Sequence, residues 1–124
     1  MKRRESPQRV LDRLRRVCLA LPDACETLTW GHPNFLAGKR IFAAFHTDSE
    51  GTLCIWVKLG PGASEMARDD ERFSPSRHGA GHWVGLRTDR PLDWGAVKGL
   101  LLTSYRATAL KSSVRKLELG DVPR

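Results

Sequence analysis

The period at which apolar residues recur changes along the chain, and this change limits the possible folds more than any other feature. Near the start, apolar side chains recur at helical spacing, at Val10, Leu11, Leu14, Val17, Cys18 and Leu21. Ser6 and Pro7 are residue types preferred at the cap and first position of a helix. Because Pro22 disfavours helical geometry in the residue before it, the sequence predicts a helix that ends at Leu21.

The middle of the chain changes to the two-residue alternation of strands, interrupted by turn-forming residues. We predict strands over residues 26–30, 35–36, 40–46, 52–58 and 83–87. Turns between the first four are predicted at residues 31–34, at Gly38-Lys39 and at 47–51. Residues 74–82 are rich in Ser, Gly, His and Arg, which predicts a loop.

Two further helices are expected after the strands begin. A short one over residues 63–71 is predicted to turn Met66 and Ala67 inward. Asp93 is a natural cap for a long helix over 94–110, and Leu110, Val114 and Leu117 indicate one or two more helical turns. This order of elements is typical of an α+β fold with a small, mainly antiparallel sheet. We expect the terminal helices to pack on one face of the sheet and the other face to be open.

The length of 124 residues suits a single domain over 1–124, since a chain of this size buries one core but not two. We expect its core over about residues 7–110 and a basic tail over 111–124. The longest apolar runs, residues 17–21 and 41–45, are far below the roughly 18 residues that span a bilayer. Three cysteines without Cys-x-x-Cys spacing indicate neither a disulfide framework nor a zinc site, so we expect a cytoplasmic protein without membrane contact.

The basic charge lies at the two ends of the chain. The formal net charge is +7. Residues 1–16 hold seven bases and two acids and residues 110–124 hold four bases and two acids, whereas the body between them is neutral. In the first predicted helix, Arg9, Arg13 and Arg16 share a face opposite the apolar stripe. This pattern fits either a solvated helix face or an anion-binding face.

A second candidate surface lies on the predicted sheet. Alternation places Trp56 and Lys58 on one face of their strand and Trp83 and Arg87 on one face of theirs. If the two strands share a sheet, these four residues form an aromatic and basic platform on its open face. Such a platform suits stacking on nucleic-acid bases or contact with a partner protein, and ordinary packing under a loop is the alternative.

Catalytic and metal-binding arrangements are weak in this sequence. Cys18 lies on the apolar stripe, Cys54 lies in a strand, and Cys25, in a predicted loop, has only His32 near it in sequence. His78 and His82 are four apart, but the glycines between them make helical geometry doubtful. We therefore predict no enzymatic activity, no metal and no cofactor. An enzyme acting on a small anionic metabolite would need a pocket around His32, His78 and His82.

Several of these residues resemble a known family. Leu21-Pro22, Glu26 and Trp30-Gly31-His32-Pro33 followed by Phe35 are similar to the N-terminal signature of the MmcQ/YjbR-like family of small bacterial proteins. Gly38-Lys39 with Ile41-Phe42-Ala43 resembles its second β segment. Three further segments resemble the C-terminal half of the family: Trp83-Val84-Gly85-Leu86, Asp93-Trp94 and Tyr105-Arg106. The resemblance spans about residues 8–110.

The resemblance implies a frataxin-like (CyaY-like) α+β fold and DNA binding through a double wing of β elements, with no catalytic residues to carry over. This chain departs from that expectation, because its β body is neutral and its charge lies at the ends. A frataxin-like fold also raises the possibility of iron binding, which in frataxins involves an acidic ridge on the first helix. Here that helix places Asp12 among four arginines, which would repel a cation.

The sequence thus predicts a non-enzymatic DNA-binding protein with phosphate-dominated, weakly sequence-specific contacts. The alternative is a protein-interaction module or homodimer that uses the open sheet face. The residues expected to bind nucleic acid are Arg9, Arg13, Arg15, Arg16, Lys58, Arg87, Lys111, Arg115 and Lys116, with Trp56 and Trp83 as the aromatic platform.

Overall fold

The computed structural model describes residues 4–76 and 81–120. In these residues it contains an α+β arrangement of one six-stranded sheet and four helices. Their order is α1 (Pro7–Leu19), β1 (Ala24–Thr29), β2 (His32–Ala37), β3 (Arg40–Thr47), β4 (Leu53–Lys58), α2 (Ala63–Arg68), β5 (Phe73–Pro75), β6 (Trp83–Arg87), α3 (Trp94–Thr108) and α4 (Lys111–Glu118).

The predicted helix start is confirmed at α1. The Ser6 side chain accepts a hydrogen bond from the Arg9 backbone N–H, and Pro7 is the first helical residue. The helix ends at Leu19, two residues before the predicted end, with Ala20 as its C-cap. Leu21 is buried nonetheless, because the turn after the helix returns it to the core.

All neighbouring strands pair antiparallel in the order β1-β2-β3-β4-β6-β5. The predicted turn over 31–34 is wrong, because the chain reverses at Trp30 and Gly31. Both residues have positive φ, 54° and 78°, the geometry of a two-residue hairpin turn. Pro33 lies inside β2 and pairs only with Leu28 of β1, because pairing with β3 begins at Asn34. A proline is tolerated there since no N–H is needed on the second side.

Other boundaries also differ from prediction. Cys25 lies in β1 and not in a loop, and β5, which begins at Phe73, extends into the predicted loop over 74–82. Met66 is 48% exposed although it was expected to face inward, whereas Ala67 is buried as expected. The one or two helical turns predicted after Leu110 are confirmed as α4, although residues 111–118 were also expected in a basic tail outside the core. Val114 and Leu117 of this helix pack against the core, so it is held by apolar contacts.

The sheet has two different faces. Helices α1 and α3 cover one face, where Val10, Leu14, Val97 and Leu101 pack with strand residues in the main core. This confirms the prediction that terminal helices share one face of an antiparallel sheet. The opposite face, here called the open face, carries a smaller cluster of Ala44, Cys54 and Trp56 with Trp83 packed against it.

Contacts at both helix ends show that α1 and α3 run in the same direction. Near their N-termini, the Trp94 indole N–H donates to the Glu5 carboxylate. Near their C-termini, the Tyr105 hydroxyl donates to the Pro22 carbonyl at 2.6 Å. The starts of both helices therefore lie at one end of the sheet. None of the helices in the described residues is long and apolar enough to cross a membrane.

Candidate functional site

The residues predicted to bind nucleic acid lie on opposite sides of the sheet. The arginines of α1 and the basic residues of α4 belong to the helical layer. On the other side, β4 and β6 are direct neighbours, with Lys58 opposite Trp83 and Cys54 opposite Arg87. The two strands thus share a sheet as the prediction required. One rigid duplex cannot lie against both layers at once, so the geometry divides the predicted residues into two surfaces.

Ion pairs hold four of the nine predicted bases. Arg15 makes two hydrogen bonds to Glu26, at 2.8 and 2.9 Å, and these raise the pKa of its guanidinium. The other pairs are Arg13–Glu5 at 3.0 Å, Lys116–Asp23 at 3.3 Å and Arg87–Glu50 at 3.4 Å. The other five predicted bases have no ion pair with any residue in 4–76 or 81–120; they are Arg9, Arg16, Lys58, Lys111 and Arg115.

The two basic ends of the chain meet the helical layer at different places. Asp23, which follows the C-terminal end of α1, accepts hydrogen bonds from Ser113 and Lys116 of α4. Arg9 lies in the first turn of α1, and the 13 residues of this helix span about 20 Å. The α4 bases therefore lie toward the opposite end of α1 from Arg9, although both sets belong to one layer.

A depression at the start of α1 concentrates arginine side chains. Arg4, Arg9 and Arg13 line it together with the segment 91–94 that leads into α3, and its volume is about 720 Å³. The N-termini of α1 and α3 lie at this same end, so both helix dipoles present their positive ends here. We call this place the arginine end.

The carboxylates at the arginine end are partly engaged. Glu5 accepts hydrogen bonds from Arg13 and from the Trp94 indole through Oε1, while its Oε2 is buried without a partner among the described residues, and the Arg13 guanidinium lies 5.0 Å from the centre of the Trp94 ring. Asp93 caps α3 by accepting from the backbone N–H groups of Gly95 and Ala96. Sequence reasoning did not include Arg4, because nothing in the sequence shows that α1 and α3 begin at the same end.

A groove of about 660 Å³ lies on the open face. It extends across the sheet from β2 to α2. Among the residues that line it are Asn34, Ile41, Ala44, His46, Asp48, Trp56, Ser64, Arg68 and Trp83. The sequence identified the two tryptophans here but missed Asn34 and Arg68, since their neighbours come from distant parts of the chain.

The expectation that Trp56 is open to solvent is wrong, because the side chain is only 6% exposed. Its indole N–H donates to the His46 carbonyl at 3.0 Å, and its ring stacks on the His46 ring with 5.1 Å between centroids. On the other side, a methyl group at Gly85 would lie 3.0 Å from two carbons of the indole ring. Trp56 therefore forms part of the groove floor, whereas Trp83 is half-buried beside it.

Asp48 fixes the loop between β3 and β4 at one wall of the groove. Its carboxylate accepts from the backbone N–H groups of Glu50 and Thr52, both at 2.9 Å, and from the Ser74 hydroxyl at 2.7 Å. Burial alone would raise the pKa of Asp48. The hydrogen bonds from Ser74, Thr52 and Glu50, with the charge of Arg87, outweigh it and hold the pKa below its ordinary value.

We expect Asp48→Asn to lower the free energy of unfolding by about 1 kcal/mol at pH 7, since it removes charge-assisted hydrogen bonds. A lowered folded-state pKa stabilises the fold above the ordinary value of 3.8, and this contribution is lost as the pH falls through the folded-state pKa. Urea unfolding from pH 7 to 3 should thus show a constant difference from wild type down to about pH 5 and a shrinking one below it. Asp69→Asn, at an exposed position of the same charge, is the control, and an equal pH dependence in both variants would contradict the assignment.

The cysteine and metal candidates gain no support from the fold. Cys18 is fully buried, which raises the pKa of its thiol, and burial likewise raises the pKa of Cys54 to about 12. Cys25 and His32 lie on paired strands, but His32 is opposite Thr29, four residues along β1, which is about 13 Å away. Residues 4–76 and 81–120 contain no group of three or more His, Cys, Asp and Glu side chains that could hold a metal. His78 lies outside the described residues.

Comparison with known proteins gives a family match and a similar solved structure. The family model described as YjbR matches residues 19–107. The crystal structure of the Deinococcus radiodurans protein DR2400, which has a DUF419 domain, is similar with a TM-score of 0.64 and 26% sequence identity. That similarity covers 95% of this chain and 92% of the other. No curated protein matches the chain.

Proposed function

This chain belongs to the YjbR family, and from that premise we propose that it is a non-enzymatic DNA-binding protein whose contacts go mainly to phosphates. The observation that carries the proposal is the arginine end, where Arg4, Arg9 and Arg13 line one depression at the start of two helices. Phosphate groups are the anions such a place fits best, because arginine donates in a planar fork and helix N-termini present backbone N–H groups.

The charge balance of the arginine end favours an anion. Arg4 and Arg9 are exposed and carry no ion pair within the described residues. Arg13 pairs with Glu5 but keeps 47% of its side chain exposed. The other helical bases, Arg16, Lys111 and Arg115, extend the same layer and are proposed as secondary phosphate contacts. Because such contacts do not read base edges, the proposal includes weak sequence specificity.

Anisotropy titration of duplex and single-stranded DNA, between about 50 and 200 mM salt, tests this proposal. Wild-type affinity is expected to fall steeply with salt. Arg4→Ala/Arg9→Ala should weaken binding equally for all sequences. On duplex it should reduce the slope of log affinity against log salt by about 2, roughly one unit per lost phosphate contact.

The matched control is Lys39→Ala/Arg40→Ala, which removes two exposed bases at the β2–β3 turn that have no ion pair with any described residue, and it leaves the arginine end intact. This control should bind DNA as wild type does. Loss of binding in the control with retention in the Arg4/Arg9 variant would contradict the proposal and favour contact through β turns. Absence of wild-type binding at the lowest salt concentration would also contradict it.

A further inference from the structure

The groove on the open face has the construction of a small-molecule site. Its volume of about 660 Å³ lies within the range of ligand pockets, roughly 300–1,000 Å³. The floor is formed by Ala44 and the buried Trp56, and Ile41 and Trp83 flank it with apolar surface that is partly exposed. This site lies on the side of the sheet opposite α1 and α3, so it is independent of the arginine end.

Asn34 gives the groove a specific hydrogen-bonding group. Its side chain is on the open face, opposite Ala44, and is 7% exposed. It lines the groove, and no hydrogen bond joins its amide to another residue within 4–76 and 81–120. The amide atoms are not among the fully buried side-chain atoms that lack a partner, so they face the groove and are open to pairing with a ligand. Because the amide offers both a donor and an acceptor, the matching ligand group has a donor and an acceptor side by side.

Arg68 gives the other end of the groove a positive charge. It is an exposed residue of α2, and it has no ion pair within the described residues. Beside it, the Ser64 hydroxyl donates to the Ser76 carbonyl, which fixes that wall. The one carboxylate among the lining residues, Asp48, already accepts three hydrogen bonds. An anionic group of a ligand is therefore expected at Arg68.

The distance between these two groups selects an elongated ligand. Asn34 lies on β2, and α2 packs against β5 and β6, three to four strands away. At about 4.8 Å per strand, this is roughly 14–19 Å between strand axes, which the long side chains of Trp83 and Arg68 shorten. A ligand that pairs with both ends carries a flat, hydrogen-bonding ring at one end and an anion at the other.

We propose that the open-face groove binds a nucleotide, with the base against Asn34 and Trp83 and the phosphate at Arg68. Nucleobases combine the flat apolar faces and the adjacent donor and acceptor that this groove requires. Asparagine pairs in this way with the N6 and N7 edge of adenine, so AMP is the expected best ligand among the four monophosphates. The base lies between apolar side chains, and the phosphate stays near solvent at the exposed end.

Isothermal titration calorimetry of the full chain with AMP, GMP, CMP, UMP, adenosine and inorganic phosphate tests this inference. AMP is expected to bind more tightly than adenosine. Inorganic phosphate alone is expected not to bind at millimolar concentration. Arg68→Ala should weaken AMP binding about tenfold or more and leave adenosine binding unchanged. Arg40→Ala, at an exposed arginine that pairs with no acid in the part of the chain the structure describes, should change neither. Asn34→Leu should remove the preference among bases, and because no described residue bonds to the amide, it should not lower stability.

Three results would overturn the inference. The first is that none of the monophosphates binds at millimolar concentration. The second is that inorganic phosphate binds as well as AMP, which would make this an anion site only. The third is that Arg68→Ala, which alters an exposed side chain and does not threaten the fold, leaves AMP affinity unchanged. If AMP binding is lost in Arg4→Ala/Arg9→Ala instead, the nucleotide occupies the arginine end, so the groove inference fails while the proposed function stands.

Discussion

Replacing Tyr105 with alanine is expected to lower the free energy of unfolding by about 3–5 kcal/mol, the usual cost of truncating a fully buried aromatic side chain. Tyr105 has no exposed surface, and its ring meets that of Phe42 edge to face with 5.4 Å between centroids. Its hydroxyl also donates to the Pro22 carbonyl at 2.6 Å. One residue thus joins α3 to the sheet and to the turn after α1, and its removal leaves a cavity between three elements.

Urea unfolding measures this effect, and two further variants separate its parts. Tyr105→Phe keeps the ring and removes only the hydrogen bond, for which a loss of about 1 kcal/mol is expected. Trp30→Ala truncates a larger aromatic residue that is 92% exposed, so its change should stay within about 0.5 kcal/mol. If the alanine variant at Tyr105 lost no more stability than the one at Trp30, the assignment of Tyr105 as the central packing residue would be wrong.

The second large effect is expected at Ser104, whose hydroxyl bridges β3 and β4 where their backbone pairing is interrupted. The pairing between β2 and β3 shifts register after Phe35, and pairing between β3 and β4 begins only at Ala43. This irregularity separates the Lys58 N–H from the Phe42 carbonyl. The Ser104 hydroxyl accepts from the Lys58 N–H at 2.8 Å and donates to the Phe42 carbonyl. A side chain of α3 therefore replaces a missing hydrogen bond of the sheet.

Ser104→Ala should lower the free energy of unfolding by about 2–4 kcal/mol, because it leaves a donor and an acceptor unpaired in a fully buried place. Thr103→Ala is the matched control on the same helix. Its hydroxyl donates to the Gly99 carbonyl but is exposed, and alanine favours the helix, so no loss is expected. Equal losses in the two variants would mean that the Ser104 bridge contributes nothing beyond helix propensity.

The helices and most strands could be predicted because their signals are local. The Ser6-Pro7 start of α1, the Gly38-Lys39 turn and the alternation of β4 and β6 each depend on a few adjacent residues. The misplaced turn shows the limit of this reasoning. Pro33 resembles a turn residue in isolation, but it lies in a strand because its missing N–H faces a side of β2 that is unpaired at that position.

The candidate sites depended less on sequence signals. The count of bases identified Arg9 and Arg13, but not the fact that Arg13 is held by Glu5 and Trp94. Alternation placed Trp56 on the open face but could not show that His46 and Gly85 enclose it. Asn34 and Arg68 carried no signal at all, since an isolated polar residue becomes notable only when its neighbours leave it unpartnered in a groove.

The sequence by itself determined the α+β class, the mainly antiparallel character of the sheet and the location of the excess charge at the two ends of the chain. Only the tertiary structure decided where that charge lies in space and which polar groups lack partners. The parallel arrangement of α1 and α3 brings both helix starts together. The register shift between β2 and β3 leaves Phe42 without a partner in β2, and its carbonyl accepts from Ser104 instead. The physical reason is range. Periodicity and capping act between residues a few positions apart, whereas ion pairing, burial and groove formation join residues separated by up to 93 positions, as between Asp23 and Lys116.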